Sequence, residues 1–179
     1  IFSIGKNLMK LSIYLKYMGI TTYHTIPDPL NSYIQHIDCW GKFLAPDKIM
    51  ILQVPSSNAN YTDLENAVQY FANQTSSYGN KYKVYRVYTP NNQPYTNSLI
   101  LNNKVLVPMN PTYGSSCYQA ALASYQQAMP GYEIIGVSYN DWYDTDALHC
   151  RAIQLPQSDM LRIVHQPLLD SIPFANNIT

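Results

Sequence analysis

Tyr82-Lys83-Val84-Tyr85-Arg86-Val87-Tyr88, then Thr89-Pro90-Asn91-Asn92-Gln93-Pro94, then Ser98-Leu99-Ile100-Leu101 and Lys104-Val105-Leu106-Val107-Pro108 read as a strand, a polar loop and a hairpin. β-branched and aromatic residues fill the three runs. Proline breaks the loop away from any ladder, and Asn102-Asn103 suits a hairpin turn because asparagine tolerates positive φ. Just upstream, Asn60 or Thr62 can cap a helix running to about Asn73, with Leu64, Ala67, Val68 and Phe71 at helical spacing.

The same order recurs on both sides. Towards the N-terminus, Ile4 to Met18 predicts a helix stopped at Gly19 and Thr21 to Ile26 a strand ended by Pro27-Asp28-Pro29. Ile34 to Leu44 and Lys48 to Val54 then read as two β runs joined at Ala45-Pro46-Asp47. Towards the C-terminus, Ser116 to Met129 predicts a helix and Tyr132 to Tyr139 a strand. The loop Asn140 to Thr145 leads to further β runs at Ala147 to Leu155 and Leu161 to Val164. Three rounds of helix, strand, loop and hairpin therefore span residues 4–54, 60–108 and 116–165, with a period of about 55 residues, the mark of an array of supersecondary units. The helices carry no heptads, so they are expected to cover sheets in an α/β fold. Units arranged around an axis bring equivalent loop positions together: His36 and Asp38 from the first round, Asn97 from the second, His149 and Cys150 from the third.

Composition narrows the function. The 179 residues are 46% hydrophobic and only 12% charged, with 17 tyrosines, and 11 basic residues balance 11 acidic ones. No global field favours nucleic acid or an anionic membrane as partner. The apolar segment Leu8 to Ile20 is broken by Lys10 and Lys16, so no membrane span is expected. The chain opens on Ile1 directly ahead of a helical pattern, which reads as a piece of a longer chain with any targeting signal upstream. Three cysteines are too few for a disulfide framework, and at least one is unpaired. Sequons at Asn60, Asn73 and Asn177 are weak signals in so asparagine-rich a chain.

A cysteine, a histidine and a carboxylate at one place make a kit for nucleophilic catalysis. Each residue also has a plainer reading. A cysteine in a strand is usually core, and Cys39 and Cys117 fit that description, with Cys39 opposite Asp38. His24 and His165 read as ordinary, partly buried histidines. Alternation along a strand would give His36, Asp38 and Trp40 one face, and a buried Asp is rare unless paired or functional. A metal site at His36, Asp38, His149 and Cys150 has no supporting motif, and neighbours on a strand would point apart, so no metal is expected. A cysteine-protease reading uses the same residues, but no local signature of those enzymes surrounds Cys150.

Three segments carry a resemblance: Ser32-Tyr33-Ile34-Gln35-His36-Ile37-Asp38-Cys39-Trp40-Gly41-Lys42-Phe43-Leu44, Gln93-Pro94-Tyr95-Thr96-Asn97-Ser98-Leu99-Ile100-Leu101-Asn102-Asn103, and Thr145-Asp146-Ala147-Leu148-His149-Cys150-Arg151. With Met129-Pro130-Gly131-Tyr132-Glu133-Ile134-Ile135-Gly136-Val137 between them, they closely resemble the Porphyromonas-type peptidylarginine deiminase family of the guanidino-group-modifying superfamily, from about Tyr33 to His165. The resemblance implies a five-bladed pseudo-symmetric α/β propeller of the pentein type. Residues 1–179 would form a partial catalytic domain of about three blades, with roughly two more upstream. It implies a hydrolase converting arginine in peptides to citrulline and ammonia through a covalent thiouronium, without cofactor or metal. Cys150 would be the nucleophile, His36 the general acid and base, Asp38 a carboxylate gripping the guanidinium, and Asn97 the remaining active-site position. Tyr33 would line the substrate channel. The family's second guanidinium-binding Asp, and its basic residues for a substrate's C-terminal carboxylate, are expected in the upstream half. Partners would be an arginine-containing peptide or a small guanidino substrate. A secreted or surface protein would fit that reading, and a cytoplasmic one an agmatine deiminase, the enzymatic alternative. The Thr145-Asp146-Ala147-Leu148 run before Cys150 favours the peptidylarginine type over the Gly-rich stretch usual in agmatine deiminases. A non-catalytic binding module is the alternative of another class.

Overall fold

A computed structural model describes residues 2–3 and 24–153. The expected helix at 4–18 and the β run at 161–164 lie outside these residues, as does His165. Within them, β1 (Phe2–Ser3) pairs in parallel with β2 (His24–Thr25). A 3-10 turn at Ile37–Cys39 leads into β3 (Gly41–Ala45) and β4 (Lys48–Gln53), then α1 (Tyr61–Asn73) and β5 (Lys83–Tyr88). The second half repeats this with β6 (Leu99–Leu101), β7 (Lys104–Met109), α2 (Ser115–Ala128) and β8 (Glu133–Ser138).

The repeat is present, but its frame differs from the sequence reading. Each three-stranded sheet is ordered β3-β4-β5 or β6-β7-β8, with an antiparallel hairpin followed by a strand parallel to the hairpin's second member. The structural unit is therefore hairpin, helix, strand, and the strand read as opening a round completes the sheet of the round before. Local patterning marks where strands are, whereas partner choice depends on the crossover through the helix, which no local run encodes. The three sheets stay separate in the described residues, giving an α/β fold with no closed barrel.

Burial explains the layering. On β3, Phe43 meets Phe71 of α1 edge-to-face at 5.8 Å between ring centres, so α1 covers that side of the first sheet. Arg86 on β5 holds Glu65 of α1 through two nitrogens at 2.7 and 3.1 Å. The helix α2 packs on β7 and β8 and also on β5 of the first sheet, joining the two units. Ile49, Met50, Ile51 and Leu52 of β4 are all fully buried, as expected for the central strand of a sheet covered on both faces. Leu64, fully buried in α1, is one of its anchors. Leu64→Ala should cost about 3 kcal/mol of unfolding free energy, read as a lowered denaturant midpoint at unchanged slope; a loss below about 1 kcal/mol would place Leu64 outside the packed core.

Three local readings are corrected. Only Gly41–Ala45 of the run 34–44 is strand; residues 37–39 form a 3-10 turn, because the apolar residues follow a turn closed by Trp40 N–H on the Ile37 carbonyl (3.0 Å). His36, Asp38 and Trp40 thus do not form one strand face. From Ala147 to Ile153 the chain is turn and coil, not strand, with Arg151 N–H bonded to the Ala147 carbonyl at 3.1 Å. Asn60 precedes α1 but makes no side-chain cap; its amide donates instead to the Pro29 carbonyl (3.1 Å).

Candidate active site

Three loop segments, each leading into or out of a sheet, meet at one place. The first carries Asp28, whose carboxylate accepts from the backbone N–H and hydroxyl of Ser32 (2.7 and 2.8 Å). This fixes the bend before His36. The 3-10 turn then presents Asp38, which is 7% exposed.

The second segment, 89–98, is a loop that is buried: Gln93, Tyr95, Thr96, Asn97 and Ser98 have no solvent exposure. Part of its polarity is tied internally, the Gln93 side-chain oxygen accepting from the Thr89 hydroxyl and from the Asn91 N–H at 3.1 Å. The Thr96 hydroxyl donates to the Asp38 carbonyl at 3.0 Å, stitching the first two segments together. The buried Tyr125 hydroxyl of α2 donates to the Tyr95 carbonyl (2.7 Å) and lies 3.0 Å from Ser98 Oγ.

The third segment is the turn of His149 and Cys150. Asn97 holds it from beneath. Its Oδ1 accepts from the backbone N–H groups of His149 (2.9 Å) and Cys150 (3.2 Å), and its Nδ2 lies 3.0 Å from Cys150 Sγ. Arg151 fixes the far side. Its guanidinium forks onto Asp146 at 2.8 and 2.9 Å and stacks 5.0 Å from the Trp142 ring. Asn110, itself buried, donates to the carbonyls of Asn140 and Trp142 at 2.8 and 3.1 Å and so secures that loop.

These supports deliver a cluster around one carboxylate. Cys150 Sγ stands 3.4 Å from Asp38 Oδ2, and His149 Nδ1 stands 2.7 Å from the same oxygen. His36 Nδ1 is 4.0 Å from Asp38 Oδ1. Of the residues expected from sequence, Cys150, His36, Asp38 and Asn97 come together. Tyr33 is 88% exposed on the loop before His36 and stands apart from the cavity wall. That cavity, of about 490 Å³, has His36, Asp38 and His149 among its polar residues and Ile26, Ile34 and Phe71 among its apolar ones. Sequence reasoning placed His149 beside Cys150 among the converging residues but gave it no catalytic role, and held that neighbours on a strand diverge and would not share a metal. In a turn they need not, and both side chains reach Asp38.

The electrostatics around Cys150 oppose ionisation of its thiol. Burial pushes the Cys150 thiol up from its ordinary value and the Asp38 charge adds to this, while the Asn97 amide pulls the other way. Cys39 is driven up to about 12, chiefly by burial and next by Asp38, and stays a core thiol. Burial lowers Lys42 on β3, against the opposing pull of Asp38 and Cys150. His36, Asp38 and Cys150 offer donor atoms all within 4.8 Å of one another. Three donors are too few for a closed structural tetrahedral metal site and equal the number in an open catalytic one. A flat organic cation can pair with the same Asp38 carboxylate from the cavity side. Among the described residues no helix is long and apolar enough to cross a membrane.

The fold is that of known deiminases. An agmatine deiminase of Enterococcus faecalis matches with a TM-score of 0.67 at 20% identity, over 78% of this chain and 46% of the other. A Porphyromonas gingivalis protein assigned as an arginine deiminase gives 0.64 at 21% identity, over 78% and 44%. The agmatine deiminase of C. jejuni gives 0.65 at 16%, over 83% and 49%. This chain thus spans about half the length of these proteins. A sequence profile of the Porphyromonas-type peptidyl-arginine deiminases matches residues 13–156, and the chain belongs to that family.

Proposed function

We propose that this chain carries the nucleophile-bearing part of a cysteine-dependent deiminase that hydrolyses the guanidinium of peptidyl-arginine to citrulline and ammonia. The observation that carries the reading is the meeting of sulfur, carboxylate and amide: Cys150 Sγ lies 3.4 Å from Asp38 Oδ2 and 3.0 Å from Asn97 Nδ2. A guanidinium paired with Asp38 presents its central carbon to the sulfur and brings a positive charge directly beside it. That charge offsets the burial and the Asp38 field that hold the thiol protonated.

The thiolate adds to the guanidinium carbon, and His36 gives a proton to one nitrogen, which leaves as ammonia. The sulfur stays bonded to carbon as a thiouronium. Water then adds to that carbon as His36 takes its proton, the carbon–sulfur bond breaks, and the ureido product departs with the thiolate restored. One guanidinium and one water give one ureido group and one ammonium. In this reading Asn97 fixes the turn and donates to the sulfur, and Tyr33 stays a candidate for contact with substrate outside the cavity. The repeats, reframed as hairpin, helix and strand, are read as about three blades of a five-bladed pentein-type propeller, the rest belonging to a longer protein.

Agmatine is the second substrate to weigh, because agmatine deiminases from E. faecalis and C. jejuni share the fold. The test is a citrulline and ammonia assay on the full-length protein, offered a peptide ending in arginine, free arginine and agmatine in parallel. Turnover of the peptide above the other two is the expected result. Preference for agmatine would reassign the substrate, and silence on all three would make this a binding module.

A further inference from the structure

We propose that His149 is a positioning residue, holding the Asp38 carboxylate in the rotation that receives a guanidinium; the proposal rests on the deiminase reading above. The terminal torsion of an aspartate is broad and nearly two-fold, so a carboxylate at a cavity wall needs a partner to fix its plane. The backbone of Asp38 is already set by the 3-10 turn and by the Thr96 hydroxyl on its carbonyl. Among the described residues its side chain has one short contact, His149 Nδ1 on Oδ2 at 2.7 Å. Cys150 Sγ on the same oxygen is longer at 3.4 Å, and His36 stands 4.0 Å from Oδ1. An ionised carboxylate only accepts, so the Nδ1 of His149 carries the hydrogen.

The brace is itself anchored. The backbone N–H of His149 donates to the main-chain carbonyl of Asn97 at 3.1 Å and to its side-chain Oδ1 at 2.9 Å. The same Oδ1 accepts from the Cys150 N–H. One buried asparagine therefore sets the spacing between nucleophile and brace. A carboxylate oxygen has two lone pairs. With His149 on one lone pair of Oδ2, the other lone pair and Oδ1 remain for a forked guanidinium, which takes the place of the Cys150 thiol at Oδ2. The arrangement predicts a requirement for a donor at the Nδ1 position and none at Nε2.

Asparagine places its amide where Nδ1 sits, and glutamine reaches to where Nε2 sits, so the two substitutions separate the roles. Binding of N-acetyl-arginine amide and of agmatine is measured by calorimetry on the full-length protein in a Cys150→Ala background, which removes turnover. His149→Asn should bind within about 3-fold of that background, and His149→Gln and His149→Ala about 10-fold more weakly or worse, the scale of one hydrogen bond to a charged group. Melting midpoints accompany each variant. Should His149→Ala not fold, the Asn and Gln pair, alike in polarity and differing by one methylene, still decides the question. Equal affinities for Asn and Gln, or an Ala variant that binds like the background, would overturn the proposal. Failure of the Cys150→Ala background to bind either probe, together with no citrulline from the unmutated protein, would instead remove the deiminase reading, and this proposal with it.

Discussion

Cys150→Ala in the full-length protein is expected to lower citrulline formation by about four orders of magnitude or more, to the level of the buffer blank. The size follows from the covalent step: without the sulfur no thiouronium forms, and water must attack a resonance-stabilised cation directly. Neither other thiol can substitute. Cys39 is fully buried and held up at about 12, and Cys117 lies on α2. Residual turnover above a few per cent of the parent would mean that the nucleophile lies elsewhere. A second readout uses the thiol alone. Because burial raises its pKa, Cys150 is neutral at pH 7 and its thiolate fraction grows as pH rises through and beyond the ordinary thiol range. Alkylation by iodoacetamide should therefore be slow at pH 7 and climb past pH 9 in the free protein. A bound guanidinium compound that is not turned over should shift that climb to lower pH. A flat profile from pH 6 upward would show that the site ionises the thiol unaided.

Much of this was legible in the sequence, and the failures share a cause. The helices at Tyr61–Asn73 and Ser115–Ala128 and the hairpin across Asn102-Asn103 were readable because helical spacing and turn chemistry are local; Asn102 does take a positive φ of 52°. The pairing of β4 with β5 and of β7 with β8 was not, because parallel partners are chosen across an intervening helix. The site was read from the register of the repeats, which brought His36, Asp38, Asn97, His149 and Cys150 to equivalent loops. The geometry of each loop was misjudged where an apolar run was taken for a strand. Ile34 to Trp40 was read into a strand on its apolar residues yet contains a 3-10 turn, and Ala147 to Arg151 is bend and turn. That error left His149, placed beside Cys150 by the register, without a role. The missed signal was the buried polar loop Gln93 to Ser98, whose asparagine needs partners that only another segment can supply.

Asn97 also yields the second large effect, since its amide performs two separable tasks. Oδ1 anchors the backbone of the turn, and Nδ2 faces the sulfur at 3.0 Å. Two backbone donors at one end fix which end is oxygen. Asn97→Asp keeps the acceptor and shape but replaces the donor with a charge. A fully buried carboxylate would then stand beside the thiol, with Asp38 already 3.4 Å from the same sulfur. Each negative charge disfavours the thiolate, so the alkylation profile should move to higher pH and kcat/KM fall about 10³-fold, comparable to the loss of one oriented donor at a charged centre. Folding should persist, with the melting midpoint falling less than for Asn97→Ala, which strands the Cys150 backbone N–H at about 1–3 kcal/mol and leaves the His149 N–H only the Asn97 main-chain carbonyl. The two variants thus divide the residue's work, Asp reporting on the sulfur and Ala on the scaffold. An Asp variant that kept the parent's alkylation profile would show that the contact with Nδ2 leaves the sulfur's ionisation untouched. Asn97 would then serve the site only by holding the turn in place.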